Sequence, residues 1–304
     1  MTDSKQSKNI APNKKLEALT INESLGDIPT HFMKSGSSYR PKKDLTGLAA
    51  FKERIIPESY REAKFEYDIW FNTNENVTVR KWLYTDFLGN GIYIRVPSIK
   101  INDRLMKHIA DSDIKIDEER CEKIINNFHN KYTLGENLEY YDKMLFLPGS
   151  NLLCKSPCVH WGRVKQCVDE GYKIKPHPIT AHIWIAKLKQ DFGEENVLEK
   201  KAGGFELLVK SKDVATMPNS EMGLMALMLD KNLRMVSHTK EKREKSLLTY
   251  ESIYLAIANR NAKKALMKIF SAKNSGIIFS FDDDAEDRLQ QYLNNFWSFK
   301  VFNG

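Results

Sequence analysis

Between Lys143 and Val236, short apolar runs alternate with segments of helical period, and only a few residues separate them. Lys143 to Leu147 reads as a strand that ends in Pro148-Gly149-Ser150-Asn151, and His160 to Glu170 as a helix stopped by Gly171. Tyr172 to Lys175 reads as the next strand and ends in Pro176-His177-Pro178. Ile179 to Phe192 has helical period, with Ile183, Ile185 or Ala186, Leu188 and Phe192 on the face expected to be buried. A brief strand at Asn196 to Leu198, a helix at Phe205 to Val209, a strand at Asp213 to Met217, a helix at Ser220 to Leu229 and a strand at Leu233 to Val236 complete the series. Helices between successive strands over such short connections imply a parallel sheet covered on both faces. Ligands of such sheets bind beyond the carboxyl ends of the strands. The turns Gly149-Ser150, His177-Pro178 and Asn219-Ser220 therefore converge on one rim.

The remainder of the chain is less periodic. Residues 1–28 carry Lys5, Lys8, Lys14 and Lys15 among small polar residues and read as a flexible basic tail. Residues 29–141 read as an N-terminal α/β domain, with strands at Tyr67 to Phe71, Trp82 to Phe87 and Ile92 to Val96, a Gly89-Asn90-Gly91 turn, and charged helical sequence from Asn102 to His129. Residues 142–280 hold the alternating region, and residues 281–304 a C-terminal amphipathic helix with Leu289, Tyr292, Leu293, Phe296 and Trp297 on one face.

Charge narrows the partners. A formal net charge of +7 makes a polyanion a natural partner, since Lys and Arg displace phosphate counterions without reading sequence. Arg40, Lys42, Lys43, Lys242 and Arg243, with the tail, are candidates to line a groove for an anionic acceptor such as DNA. The four cysteines are too sparse for a disulfide framework, which suits a reducing compartment, and with neither a leader nor an apolar run of bilayer length a cytoplasmic location is expected. Cys154 and Cys158, with His160 and Cys167, invite a zinc reading, but no second close pair follows and buried free cysteines are common. No Gly-x-x-x-x-Gly-Lys-Ser/Thr loop, Gly-x-Gly-x-x-Gly turn or His-Glu-x-x-His helix is present.

The segment Gly171-Tyr-Lys-Ile-Lys-Pro-His-Pro resembles the His-Pro motif of glycosyltransferases of the GT-B type, including bacterial sialyltransferases and capsule or teichoic-acid polymerases. About forty residues on, Lys212 to Lys231, with Pro218-Asn219-Ser220, is similar to that family's strand, Ser-containing turn and helix that hold the donor phosphate. The resemblance covers roughly residues 143 to 240. It implies an α/β fold of GT-B-like form, two Rossmann-like domains with parallel sheets facing a central cleft, and a nucleotide-sugar donor.

Physical reasoning supports the same residues. A helix beginning after Asn219-Ser220 offers N–H groups and the positive end of its dipole, so Ser220 with the amides of Glu221 and Met222 is suited to a diphosphate. His177 between prolines can donate to a phosphate or leaving group, beside Lys175, Pro178, Gly149 and Ser150. Glu206 is a candidate for a ribose hydroxyl. Ser220 as a plain helix cap and His177 as a plain turn residue are the competing structural readings.

An inverting transfer needs a carboxylate base, for which Asp86, with Asp68 behind it, is the candidate. Asp169-Glu170-Gly171 matches an acidic motif in letters but ends a helix, and Asp111-Ser112-Asp113 and Asp282 to Asp284 follow no apolar strand, so transfer without a metal is expected. A UDP-sugar is favoured over a CMP-sugar, and a monomer or weak dimer is expected. The expected function is transfer of a glucose- or arabinose-type sugar to a hydroxyl, with hydroxymethylated cytosine in phage DNA as the leading acceptor. The chain is similar in its lean, Lys- and Asn-rich style to phage enzymes of that kind. A capsule or cell-surface polysaccharide glycosyltransferase and a non-catalytic nucleic-acid-binding scaffold are the rival expectations.

Overall fold

The computed structural model describes residues 18–20, 32–33, 68–69, 78–80, 84–95, 99–132, 139–153, 159–237 and 250–301. Its centre is a parallel sheet of β7 (Lys143–Phe146), β8 (Lys173–Lys175), β9 (Asp213–Thr216) and β10 (Asn232–Met235), in spatial order β10-β9-β7-β8. A parallel bridge from Ile174 to Val197 adds one more position beyond β8, where the sequence suggested a brief strand. The chain thus starts in the middle at β7, works outward through β8 to Val197, then crosses back to β9 and β10 on the other side. The point where the direction of winding reverses lies between β7 and β9.

Alternation along the strands explains why both faces are covered. Met144, Phe146 and Val214 turn to one apolar cluster, and Leu145, Leu147, Ala215 and Met217 to another. The second cluster is filled by the single turn α3 (Ser150–Leu153), α4 (Trp161–Asp169) and α5 (His182–Phe192), through Leu153, Val164, Cys167 and Leu188. The first, larger cluster takes in α6 (Gly204–Lys210), α7 (Glu221–Met228), α8 (Glu251–Ile257) and α9 (Ala262–Ser271). It continues into α1 (Ile99–Asp111) and α2 (Glu118–Tyr132), so one core joins residues on both sides of Tyr141.

A parallel sheet was expected in residues 29–141, and the strands described there pair differently. β5 (Tyr84–Leu88) and β6 (Gly91–Arg95) form an antiparallel hairpin, with β11 (Ile277–Phe279) antiparallel on its other side. The reason is local: Gly89 at φ 57° and Asn90 make a two-residue turn, which joins only antiparallel neighbours. Two further antiparallel pairs join β1 (Ala18–Thr20) to β4 (Thr78–Arg80) and β2 (Phe32–Met33) to β3 (Asp68–Ile69).

The expected buried face of α5 also needs correction. Leu188 is buried and Phe192 half-buried, and of the Ile185 or Ala186 alternatives it is Ile185 that turns inward; Ile183, however, is 77% exposed, with nothing among the described residues covering it. Among the described residues no helix is long and apolar enough to cross a membrane.

The last helix, α10 (Ala285–Val301), packs on α1 and β11. Its start is fixed by charge: Asp282 pairs with the buried Arg120, whose Nε and Nη2 also donate to the carbonyls of Phe270 and Ile277. Asp282 accepts the Phe279 N–H at 2.7 Å as well, so one carboxylate ties α2, β11 and α10 together. Asp282→Ala leaves the Arg120 guanidinium buried without its counter-charge and is expected to cost about 3–5 kcal/mol in denaturant unfolding. Nearby, burial opposes the charged form of Asp284, yet hydrogen bonds from Lys273 and Arg288 hold its carboxyl below the ordinary aspartate range. Its stabilising contribution is therefore present above that range, about pH 3.9, and is lost as pH falls through the lower folded value, which an acid titration of unfolding free energy measures.

Candidate functional site

Register places the three turns at one level. Lys175 stands opposite Phe146, and Thr216 lies beside Phe146 on the other side, donating its hydroxyl to the Phe146 carbonyl at 3.0 Å. The last ladder bonds run from Leu147 N–H to Lys175 and from Val236 N–H to Thr216. Pro148, Pro176 and Pro218 follow, and a proline has no N–H with which to continue a ladder. The chain therefore leaves the sheet at the same height three times. The turns after β8 and β9 flank β7, two strand spacings or roughly 10 Å apart, a span that a nucleoside phosphate bridges.

On the β9 side, Ser220 caps α7, its Oγ accepting the Met222 N–H at 3.3 Å. The first-turn N–H groups of α7 have no acceptor within the helix, and the dipole leaves positive charge beside them. α8 holds this turn from behind: Tyr250 N–H donates to the Pro218 carbonyl at 2.9 Å and Tyr254 Oη to the Ser220 carbonyl at 3.1 Å. The approach requires a glycine, since a Cβ at Gly223 would stand 2.2 Å from Tyr254 Oη. Burial raises the phenols of Tyr250 and Tyr254 well above their ordinary value, so both remain neutral donors.

The hairpin forms a wall against the same turn. Glu221, the first residue of α7, accepts the Gly89 N–H at 2.8 Å, and Tyr93 stacks on Tyr250 with ring centroids 6.0 Å apart.

On the β8 side, Lys175 is 3% exposed and donates to the carbonyls of Pro176 at 2.7 Å and Lys200 at 2.8 Å. Burial among neutral acceptors pushes its amine down to about 8. His177 is exposed at the turn, its Nδ1 accepting the Ile179 N–H at 3.3 Å and its carbonyl the Thr180 N–H at 2.9 Å. Ser150 Oγ accepts the Ala181 N–H at 2.7 Å, which links the β7 turn to the β8 turn. Thr180 Oγ1 and Asn219 Oδ1, one in each flanking turn, are buried without a hydrogen-bond partner among the described residues.

The structure thus brings Gly149, Ser150, Lys175, His177, Pro178, Asn219, Ser220, Glu221 and Met222 to the carboxyl edge of one sheet. Glu206 sits in the first turn of α6, beside that edge, where Gly204 would bring a Cβ to 3.8 Å from Met222 Cε. Asp86, the candidate base, lies in the hairpin, where its Oδ2 accepts from Arg95 Nε at 3.0 Å and Nη2 at 2.7 Å. The side chain of Asp68, together with Arg40, Lys42, Lys43, Lys242, Arg243, Cys154 and Cys158, lies outside the described residues. His160 caps α4 by accepting the Arg163 N–H, and Cys167 is buried beside Arg234. Among the described residues no group of three or more His, Cys, Asp or Glu could hold a metal ion. Asp111 is bound by Arg260 through both carboxylate oxygens. Asp169 pairs with Lys165 at the end of α4.

The Glu221 side chain, Tyr250 and Tyr254 were missed from sequence. The Tyr250-x3-Tyr254 spacing was the available signal, but nothing local says that this helix packs on the Ser220 turn. A cleft of about 320 Å³ at the opposite, amino edge of the sheet is lined by Lys143, Glu170, Tyr172, Asp213, Asn232, Leu233 and Arg234. There Arg234 pairs with Glu170 at 2.7 Å, and Asn232 with Asp213, so its polar groups already satisfy one another.

No family model matches the chain, and no curated protein matches it. Among solved structures, Thermosulfurimonas dismutans KpsC, beta Kdo 2,7 transferase, is similar at 16% identity over 73% of this chain and 80% of that one, with a TM-score of 0.41. At that distance the likeness decides neither fold nor activity here.

Lys175 provides a direct test of the rim's electrostatics. Its amine is expected to titrate near 8 in NMR of the side-chain Cε, well below an exposed lysine, because burial disfavours its charged form. Because folding lowers the value, the chain gains stability as pH rises from about 8 toward the ordinary lysine value of about 10.4.

Proposed function

We propose that the chain is a nucleotide-sugar-dependent glycosyltransferase that moves a sugar from a UDP-like donor to a hydroxyl, with hydroxymethylated cytosine in DNA as acceptor. The observation that carries the reading is that a Ser-capped helix start and a Lys-Pro-His-Pro turn leave the same edge of a parallel sheet on either side of β7, the strand beside which the winding reverses. The donor phosphates lie at the start of α7, held by Ser220 and the N–H groups of Glu221 and Met222. His177 donates to the phosphate oxygen that leaves, and Lys175 adds charge where the departing nucleotide becomes more negative. The bond between the sugar's anomeric carbon and the phosphate oxygen breaks, and the acceptor hydroxyl oxygen bonds to that carbon as it loses its proton. Asp86 takes that proton: both Arg95 contacts fall on its Oδ2, and a carboxylate held by a guanidinium through one oxygen still accepts a proton on the other. The net charge of +7 supports a polyanionic acceptor.

Thermal shift against UDP- and CMP-sugars tests the donor site. At a hundredfold excess over Kd the correct nucleotide is expected to add about 2.7 kcal/mol of stability. Ser220→Ala and His177→Ala should abolish most of that response. Ser220→Ala also loses about 1 kcal/mol of helix capping, so the ligand-induced shift is compared rather than the melting temperature itself. A wild-type chain that no nucleotide stabilises is not a glycosyltransferase of this kind. Transfer to a glycan with none to DNA would assign the capsule-type acceptor instead.

A further inference from the structure

Beyond the residues assigned to the donor, the β8 turn carries an apolar tip that starts at Pro178. Ile179 is 70% exposed and Ile183 is 77% exposed, and Pro178 beside them is exposed too. Helical period marks Ile183 for burial, yet nothing among the described residues covers it. The tip is firmly mounted: Thr180 at its root is 1% exposed, Ala181 N–H is held by Ser150 Oγ, and prolines flank His177. Ile179 rests over Gly149, where an added Cβ would lie 3.0 Å from its Cγ1. Lysine lies at the root of the tip: Lys200 Nζ donates to the Thr180 carbonyl at 3.5 Å, and Lys201 next in the chain is exposed.

A rigid apolar knuckle with lysine at its root, resting on the turn after β7 in a chain of net charge +7, fits a flat apolar surface on a polyanion. Stacked bases within a phosphate backbone have that character. From this juxtaposition we propose that Pro178, Ile179 and Ile183 form a wedge that enters the base stack of the acceptor DNA beside the target nucleotide. Inserted apolar side chains unstack a base step, and a base whose substituent must meet an enzyme-bound reactant has to leave the helix. The wedge rests on the DNA-acceptor reading, and its position beside His177 brings the extruded base toward the donor without a separate element.

The test uses the full chain and a duplex containing 2-aminopurine next to hydroxymethylcytosine, with no donor present, so that it reads unstacking independently of transfer. The wild type is expected to raise 2-aminopurine fluorescence several-fold. Ile179→Ser/Ile183→Ser, at exposed positions, should lose that rise while its DNA affinity by anisotropy falls less than tenfold. Transfer by this variant should drop at least tenfold on duplex and recover on a mismatched or single-stranded target, and Ile179→Leu/Ile183→Leu should behave as wild type. An equal fluorescence rise in the serine variant overturns the wedge. So does a wild type that binds duplex without any rise, or a dimer in sedimentation that the serine variant dissociates, since the patch would then cover a second copy. A chain that unstacks DNA but responds to no nucleotide keeps the wedge and loses the glycosyltransferase reading. One that responds to nucleotides without unstacking DNA loses only the wedge.

Discussion

All four strands of the central sheet run in one direction, and that constraint organises the molecule. Each connection must carry the chain back across the sheet before the next strand can begin, which places helices on both faces and every outgoing turn on one edge. The reversal of winding between β7 and β9 then leaves a gap, because the helices on either side of it go to opposite faces. The Gly149-Ser150 and Ser220 turns flank that gap, and the His177 turn leaves the same edge one strand further on, beyond β7. Neither Ser220 nor His177 makes a site alone, but the sheet holds them at one height.

The edge is kept in shape by parts of the chain distant in sequence. Tyr250 and Tyr254 hold the carbonyls of Pro218 and Ser220, and Gly223 is small enough to let α8 approach. Glu221 reaches across 132 positions to the Gly89 N–H, coupling the hairpin to the first turn of α7. Its carboxylate lies at the positive end of the helix, where it favours the helix but competes for the same field that an anionic ligand would use. A bound phosphate would therefore act on the hairpin as well as on the helix.

Charge is used in two ways. Around Arg120 a buried cation is fully paired and hydrogen-bonded, and it serves to fix α10 against α2 and β11. Lys175 is buried too, but its acceptors are neutral carbonyls, and burial lowers its amine to about 8. Removing one partner of the first arrangement leaves a charge buried and unpaired, whereas in the second the cost of burial falls on the charged form of the amine itself.

The sequence by itself determined the elements that depend on local chemistry. Apolar runs of four or five residues ended by proline, the Gly171 helix stop and the Ser220 cap fix β7 to β10 and α4 to α7 to within a residue or two, except that α5 starts three residues later than expected. Parallel pairing followed from the short crossovers, since no hairpin links those strands. What only the tertiary structure decided is everything carried by distant contacts: the antiparallel joining of β11 to the hairpin, the engagement of Asp86 by Arg95, the tyrosines behind Ser220 and the exposure of Ile183. Periodicity gives the face of a helix but not whether another element arrives to cover it. A carboxylate's neighbours 9 or 132 positions away leave no mark on its own segment, because packing selects them by shape and charge after the local elements have formed.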